Sequence, residues 1–249
     1  AVNVIVVVFM LLSSLNFTVL YLVLIRRTMR LRDNAEIRIY FRMLLAVMVL
    51  ISLDLTLHSG FGALESIGHA IFQTVSVSST TAFASTDFGQ WPAFSQMLLL
   101  LLMAVGGCSA STAGGIKTVA AAVLLLSAAS ALRGRITVSA FGRTITPRSI
   151  MNAVTMLIVG VVVSLSGACA IAYIEDAPLH QCLFEAVSAF GTVGLTMGLT
   201  PSLHTPSCLI LIVLMYLGRV GVLTLGVSVL MRHREPPKLQ YPEGNVMVG

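Results

Sequence analysis

Long apolar stretches separated by short polar ones run along the whole chain. A hydrocarbon core about 30 Å thick is crossed by roughly 20 apolar residues in a helix. Five stretches approach or exceed this length, at about residues 3–25, 43–57, 94–125, 150–174 and 206–231. A soluble fold would have to bury helices that are apolar on every side. The pattern therefore predicts an all-α integral membrane protein.

Composition agrees with a membrane environment. Hydrophobic residues make up 57% of the 249 positions and charged residues 10%, and the mean hydropathy is +0.95. This leaves too little polar surface to cover a soluble protein of this size. The cysteines are single and lack the paired spacing of a metal site or a disulfide framework, so we predict no cofactor. They are Cys108, Cys169, Cys182 and Cys208.

The basic residues predict how the chain is oriented. They cluster between spans one and two, between spans three and four, and after the last span, whereas the connections at about 58–93 and 175–205 contain no lysine or arginine. By the positive-inside rule the basic connections and the C-terminal tail are cytoplasmic. We expect a multi-pass protein of the plasma (inner) membrane that touches lipid head groups and does not bind nucleic acid. The clustered residues are Arg26, Arg27, Arg30, Arg32, Arg38, Arg42, Arg133, Arg135, Arg143, Arg148, Arg232, Arg234 and Lys238.

An internal repeat with an offset of 112 positions relates two parts of the chain without a gap. Each copy contains a helix, a segment too short to span, a Ser/Thr/Gly-rich turn and a second helix interrupted by glycine. That order is typical of a re-entrant pore loop between two spanning helices. We predict two such tandem repeats, preceded by one further transmembrane helix. The aligned pairs include Phe72 with Phe184, Gln73 with Glu185, Ser76 with Ser188 and Thr80 with Thr192.

The two short segments, at about 65–78 and 179–190, suit an ion pathway. At about 1.5 Å per residue they cross only part of the bilayer and must turn back inside it. Backbone at that depth is tolerated where it lines a water-filled cavity, and its carbonyl oxygens can replace the water shell of a cation. The glycines of the second turn, residues 191–194, let successive carbonyls point the same way. Glu185 lies inside the second short segment, and we single it out for a test of cation attraction.

Two further features lie inside the apolar stretches. Residues 106–115, in the middle of the long third stretch, are rich in glycine and serine, which a broken helix and close helix packing explain equally well. Arg219 stands mid-span, where a charged side chain must face protein or water. Lys117 lies nearer the end of its stretch, from where its side chain can extend to the surface.

Taken with their neighbours, these motifs closely resemble the Trk/Ktr/HKT superfamily of potassium transporters. The resemblance covers essentially the whole chain, as the end of a second pore repeat followed by a third and a fourth. It implies translocation of potassium through a channel-like pore with selectivity-filter loops and an intramembrane gating loop. The matching segments are residues 72–83, Trp91-Pro92, 106–117, 184–195 and 218–221.

The resemblance also assigns roles to individual residues. It makes Arg219 a positive barrier to cations beside the gating loop, although a structural arginine tied to backbone carbonyls stays an alternative. The family normally has glycine at the position of Ala82, so the choice between potassium and sodium stays open. The implied filter residues are Ser79, Thr80, Thr81, Ala82, Gly191, Thr192, Val193 and Gly194. The implied gating residues are Gly106, Gly107, Ser109, Ser111, Thr112, Gly114, Gly115, Lys117 and Arg219.

The same resemblance predicts the organisation and partners of the chain. Because Ala1 begins an apolar run with neither an initiator methionine nor a signal-peptide pattern, we expect an internal cut and an upstream half of the same subunit. The family implies a homodimer and a cytoplasmic, nucleotide-binding regulatory ring of the RCK type. The predicted units are the last helix of an upstream repeat (1–25), a basic loop (26–42), the third pore repeat (43–130), a second loop (131–149), the fourth pore repeat (150–234) and a tail (235–249).

Competing functions are weighed against this interpretation. The sequence does not predict an enzyme, because it lacks the adjacent Gly-Lys of a phosphate loop, a GxSxG motif and histidines at metal-binding spacing. An ion-coupled secondary transporter also uses broken helices near mid-membrane, but the repeats here run parallel. A sodium-permeable or mixed sodium/potassium member of the family and a non-conducting fragment stay open as alternatives.

Overall fold

The structure is a computed structural model that describes residues 2–25, 35–134, 138–140 and 143–221. The predicted tail and the end of the last predicted span lie outside the described residues. So do several of the basic residues used for orientation, namely Arg26, Arg27, Arg30, Arg32, Arg135, Arg232, Arg234 and Lys238.

The described chain is helical apart from one small hairpin. Two strands of two residues each, β1 Ser139–Ala140 and β2 Arg143–Thr144, pair antiparallel in the connection between the two repeats. The helices are α1 Val2–Ser14, α2 Phe17–Leu24, α3 Ala35–His58, α4 Ala63–Ser79, α5 Ala93–Ala104, α6 Thr118–Leu132, α7 Pro147–Glu175, α8 Leu179–Phe190 and α9 Thr205–Val220.

Two of the described helices, α3 and α7, are long and apolar enough to cross a membrane by themselves. Large apolar side chains such as Phe9, Leu125 and Tyr173 are exposed. By contrast, polar side chains such as Gln73 and Ser188 are buried. This distribution is inverted relative to a water-soluble protein and fits a chain whose exterior meets lipid.

The first predicted span is not one continuous helix. Helix α1 ends at Ser14 and α2 begins at Phe17, so the prediction of a single helix over 1–25 is corrected by a break at Leu15 and Asn16. The Asn16 side chain accepts a hydrogen bond from Thr18 N at 2.8 Å. An asparagine that caps the following turn in this way favours a new helix start over continuation of the old one.

The third predicted span is broken as well. Helix α5 ends at Ala104, α6 begins at Thr118, and residues 105–117 between them form a loop. The broken helix, and not continuous close packing, therefore explains the glycine-rich stretch. Helices α4 and α8 are the short segments of the two repeats, and the bounds of α8 coincide with the predicted 179–190.

Each repeat has the same kind of contact at the end where α5 or α9 begins. In the third repeat, the Asp54 carboxylate of α3 accepts from Ser95 N at 3.1 Å and from Ser95 Oγ at 2.5 Å. In the fourth, Glu175 at the end of α7 accepts from the hydroxyl of Ser207, which lies 112 positions after Ser95. A carboxylate thus ties the first helix of each repeat to the first turn of the helix that returns through the membrane.

Replacing Asp54 by alanine should lower the stability of the protein. The buried Ser95 N–H and hydroxyl would lose their acceptor, which costs about 1–3 kcal/mol. Thermal unfolding of the purified protein in detergent measures the effect. The matched control is Asp87→Ala, because Asp87 is exposed and bonds only to Gly89 and Gln90 beside it. Equal melting temperatures for the two variants would contradict the assignment.

Candidate functional site

Helices α4 and α8 bring their C-terminal ends to the centre of the fold. Helix α4 packs against α1, α3 and α5, and α8 packs against α5, α7 and α9. Their last turns are buried, and the Phe88 and Phe184 rings stack between the two repeats with centroids 5.5 Å apart. The partly negative C-terminal ends of both helices therefore point into the interior.

The turns that follow α4 and α8 repeat each other bond for bond. Ser76 Oγ donates to Phe83 O at 2.6 Å, and Ser188 Oγ donates to Leu195 O at 2.6 Å. The backbone amides of Thr81 and Val193 donate to the carbonyls of Ser76 and Ser188, at 3.2 and 2.9 Å. All of these pairs are 112 positions apart, so the sequence repeat is also a structural repeat.

Both turns hold residues in the left-handed backbone region. Thr80 has φ of 55° and its counterpart Thr192 has φ of 53°. For a β-branched residue this conformation is an outlier that costs on the order of 1–3 kcal/mol and persists where the surrounding structure imposes it. Two strained threonines at matching positions mark these turns as candidate functional elements.

Ala82 occupies a position that favours glycine. Its φ is 61°, and its counterpart Gly194 has φ of 86°. A β carbon added at Gly194 would lie 3.3 Å from Ala82 Cβ, so the two turns approach each other closely at this level. Ala82 therefore adopts, with strain, a left-handed conformation of the kind that Gly194 adopts freely.

Several predicted residues line one cavity of about 600 Å³. The side chain of Val193 is instead buried in the apolar core with Leu195 and anchors its turn there. Gly191 lies against α5, since a β carbon there would be 2.7 Å from Met103 O. The cavity is lined by Ser79, Thr80, Thr81, Thr192 and Gly194 of the turns, by Thr112 and Arg219 of the predicted gate, by Ser13, Glu185, Ser188 and Thr200, and by the apolar residues Ala189, Leu195, Leu211 and Met215.

Several backbone N–H and C=O groups of the loop at 105–117 form hydrogen bonds within the loop or with the residues beside it. Gly106 N donates to Ile116 O at 2.8 Å, and Ile116 N donates to Ala104 O at 3.2 Å. The Thr118 hydroxyl closes the base of the loop by donating to Gly106 O at 2.9 Å. Non-helical backbone at membrane depth requires such partners.

The second half of this loop, at Gly114 and Gly115, lies directly against the two turns. Gly114 N donates to Thr80 Oγ1 at 3.4 Å. A β carbon added at Gly114 would lie 1.9 Å from Thr192 Oγ1, and one at Gly115 would lie 3.4 Å from Gly191 Cα. Only glycine fits at Gly114, so the composition of the loop follows from its contact with the turns.

The loop is also tied to the break in the first span, which the sequence did not predict. The amides of Cys108 and Thr112 donate to the carbonyls of Ser14 and Ser13 at 3.1 and 3.4 Å, and Thr112 Oγ1 donates to Ser13 O at 2.9 Å. In the other direction, Phe17 N donates to Ala110 O at 3.1 Å. The sequence does contain one indication of this break, because Asn16 is a helix-capping residue within an apolar run.

Charged and polar side chains hold the rest of the loop. Arg219 Nη1 donates to Thr112 O at 2.7 Å. A bond of this kind to a backbone carbonyl is what a structural role of Arg219 predicts. Lys117 Nζ donates to Ala113 O, and Ser111 Oγ donates to Cys108 O at 2.6 Å. The Glu36 carboxylate of α3 accepts from Ser109 N. Gly107 is packed tightly, with a β carbon there placed 2.9 Å from Ser14 O.

Tyr40 was missed by sequence reasoning and connects these parts. Its side chain is fully buried, its hydroxyl donates to Ser14 Oγ at 2.7 Å, and it accepts from Ser78 Oγ at 3.0 Å. The hydroxyl thus lies between the break in the first span and the end of α4. A tyrosine within an apolar helix gives no indication of such partners before the fold is known.

Two short helices with buried C-terminal ends, their matching turns and a loop of a broken helix define a membrane protein built from re-entrant-loop repeats. In the part of the chain that the structure describes, no group of three or more His, Cys, Asp or Glu residues could hold a metal ion. The sequence matches the TrkH family, described as a cation transport protein, over residues 1–238. The chain belongs to this family.

The names of similar proteins are consistent with membership of this family. The chain is 38% identical over 122 residues to the potassium/sodium uptake protein NtpJ of Enterococcus hirae, which covers 47% of this chain and 27% of that protein. It is 40% identical over 123 residues to the Ktr system potassium uptake protein B of Bacillus subtilis, covering 49% of this chain and 27% of that protein.

A solved structure agrees as well. The crystal structure of the potassium transporter TrkH from Vibrio parahaemolyticus superposes with a TM-score of 0.77 at 25% identity. The match covers 91% of this chain and 51% of that one. The chain thus spans about half the length of the solved transporter, and the all-helical membrane fold is shown by this likeness.

Proposed function

We propose that this chain supplies two of the pore loops of a potassium-conducting pore. The observation that carries the proposal is the pair of matching left-handed turns at the ends of α4 and α8, both lining one cavity. Successive carbonyls of such turns can replace the hydration shell of a cation. The proposed ion contacts are Ser79, Thr80, Thr81, Ala82, Gly191, Thr192, Val193 and Gly194.

The Thr192 hydroxyl supports an ion contact in the fourth turn. Its oxygen is buried and has no hydrogen-bond partner within the described chain. A buried polar group in a native protein is nearly always paired, so an orphan one calls for a missing partner. A partly dehydrated cation at the turn would supply that partner.

The loop at 105–117 acts as the gate in this proposal. It lies against both turns, and Arg219 is fixed beside it through Thr112 O. A positive charge in a region of low dielectric repels cations strongly, so Arg219 forms an electrostatic barrier as well as a structural tie. The two roles of Arg219 coexist.

Two turns cannot enclose an ion on four sides. The chain spans 51% of the solved relative, and the described residues enclose the cavity only in part. We propose that an upstream half of the same subunit completes the pore, that the subunit forms a homodimer, and that a cytoplasmic nucleotide-binding ring regulates it. The basic connections face the cytoplasm in this arrangement.

A mixed sodium/potassium pore is the second candidate. Ala82 stands in the left-handed region with φ of 61°, where its β carbon imposes strain of about 1–2 kcal/mol. The relative from Enterococcus hirae is named a potassium/sodium uptake protein. A strained third turn holds its carbonyls less firmly and discriminates less between the two ions.

Flux of potassium and sodium into liposomes that contain the complete subunit tests both candidates. We expect saturable potassium flux for the native sequence and a higher potassium-to-sodium ratio for Ala82→Gly, because glycine adopts the left-handed conformation freely. Ala84→Gly is the control, since Ala84 is exposed and outside the left-handed region. Absence of saturable flux of either ion would refute the pore and favour a non-conducting role.

A further inference from the structure

Glu185 is a buried acidic residue that is neither a proposed ion contact nor part of the proposed gate. It lies in α8, one turn before Ser188, and only 4% of the residue is exposed. A carboxylate inside a membrane protein is costly unless several donors face it. Its partners therefore indicate what it does.

Those partners all come from the segment that follows the fourth turn. The Thr196 hydroxyl and Met197 N donate to Glu185 Oε1, the latter at 3.2 Å, and the Thr200 hydroxyl donates to Oε2 at 2.6 Å. Thr196 Oγ1 in turn accepts from Gly198 N at 3.0 Å. Both oxygens of one carboxylate thus hold residues 196–200 against α8.

The third repeat lacks this arrangement. Gln73 occupies the position of Glu185, but Ala84 and Phe88 replace the two threonines and have no hydroxyl to donate. Gln73 is fully buried, and neither its amide nitrogen nor its amide oxygen has a partner in the part of the chain that the structure describes. Of the two repeats described, only the fourth has these hydrogen bonds from residues 196–200 to a carboxylate, which we call the clamp.

We infer that Glu185 is a positioning residue that sets ion selectivity in the fourth turn. Residues 191–194 begin at the end of α8, and their other end is held back against α8 by Ser188, which donates to Leu195 O, and by Glu185, which accepts from Met197 N. Fixing both ends restricts how far the carbonyls of the turn can move toward a smaller cation. This inference rests on the proposed pore function and adds a determinant of its selectivity.

The test separates positioning from simple attraction of cations by a negative charge. Thr196→Val combined with Thr200→Val removes two of the three donors and leaves the carboxylate in place, whereas Glu185→Gln alters the acceptor. Each variant is reconstituted as the complete subunit, and the potassium-to-sodium flux ratio and the KM for potassium are measured. We expect both variants to lower the ratio by about tenfold.

Ser202→Ala is the matched control, because Ser202 is exposed, lies two residues beyond Thr200, and donates to Leu199 O and not to Glu185. Its flux ratio should equal that of the native protein. Thr200→Val alone, which removes one surface hydroxyl contact, keeps the test available when a more severe variant fails to fold. An unchanged ratio in both threonine variants would overturn the inference, as would a raised KM confined to Glu185→Gln. Native protein without potassium flux would instead refute the pore itself.

Discussion

Replacing Gly218 by alanine is expected to abolish potassium flux through the complete subunit. A β carbon at Gly218 of α9 would lie 1.8 Å from Phe190 O and 2.7 Å from Phe190 C. Both are backbone atoms at the end of α8, so no side-chain rotation can relieve the overlap. Helix α9 must move away, or the start of the fourth turn must shift, and a closely packed interior tolerates neither cheaply.

Flux into liposomes and the melting temperature in detergent, measured side by side, check this result. The control is Gly62→Ala, because no atom lies within 4 Å of a β carbon at Gly62 and its φ is −62°. We expect the control to keep both native flux and native stability. A Gly218→Ala protein with unimpaired flux would show that α9 does not hold the fourth turn in the conducting protein.

Replacing Arg219 by alanine is expected to act in the opposite direction and raise flux through the unstimulated protein. The change removes the bond to Thr112 O and a positive charge that lines the cavity. Both losses favour an open path for cations, and we expect an increase of at least about tenfold, the equivalent of one charge-assisted hydrogen bond.

Rubidium uptake without a regulatory partner measures this leak. Arg219→Lys keeps a positive charge with a different donor geometry and should leave the leak near the native level if the barrier is electrostatic. Thr112→Val keeps the carbonyl that Arg219 contacts and removes only the Thr112 hydroxyl bond to Ser13 O. A leak that is the same in Arg219→Ala and the native protein would contradict the gating role.

Much of the repeat architecture could be predicted because it depends on local pattern. The bounds of α8 follow from the length of one apolar segment between Pro178 and a glycine turn. The alignment of Ala82 with Gly194 indicated where the third turn departs from the fourth, and the structure adds that Ala82 is in the left-handed region. Features set by periodicity, length and local sterics are visible in a single sequence.

The contacts of the loop could not be predicted, for a physical reason. Ser13 and Ser14 offer carbonyls to residues about 95 positions later in the chain. These carbonyls are available because α1 ends at Ser14 and Asn16 caps a new helix, and the apolar run around them has the composition of an unbroken span. Bonds between backbone groups distant in sequence leave no mark on residue type.

The same limit applies to the clamp in the fourth repeat. The sequence placed Glu185 in a short helix and suggested cation attraction, because a carboxylate near a pore mouth is most simply a charge. Its three donors come from a loop whose path depends on the packing of α8 against α9. Only the three-dimensional structure shows that the Glu185 carboxylate accepts these hydrogen bonds.

The break in the first span has a consequence for hydration. The amides of Cys108 and Thr112 bond to carbonyls that the break leaves free, at a depth where lipid offers no substitute. A loop that moves away from this place leaves donors and acceptors unpaired on both sides of the gap, and only water can satisfy them. We therefore expect opening of the proposed gate to be a wetting transition, which solutes that withdraw water from the cavity should oppose.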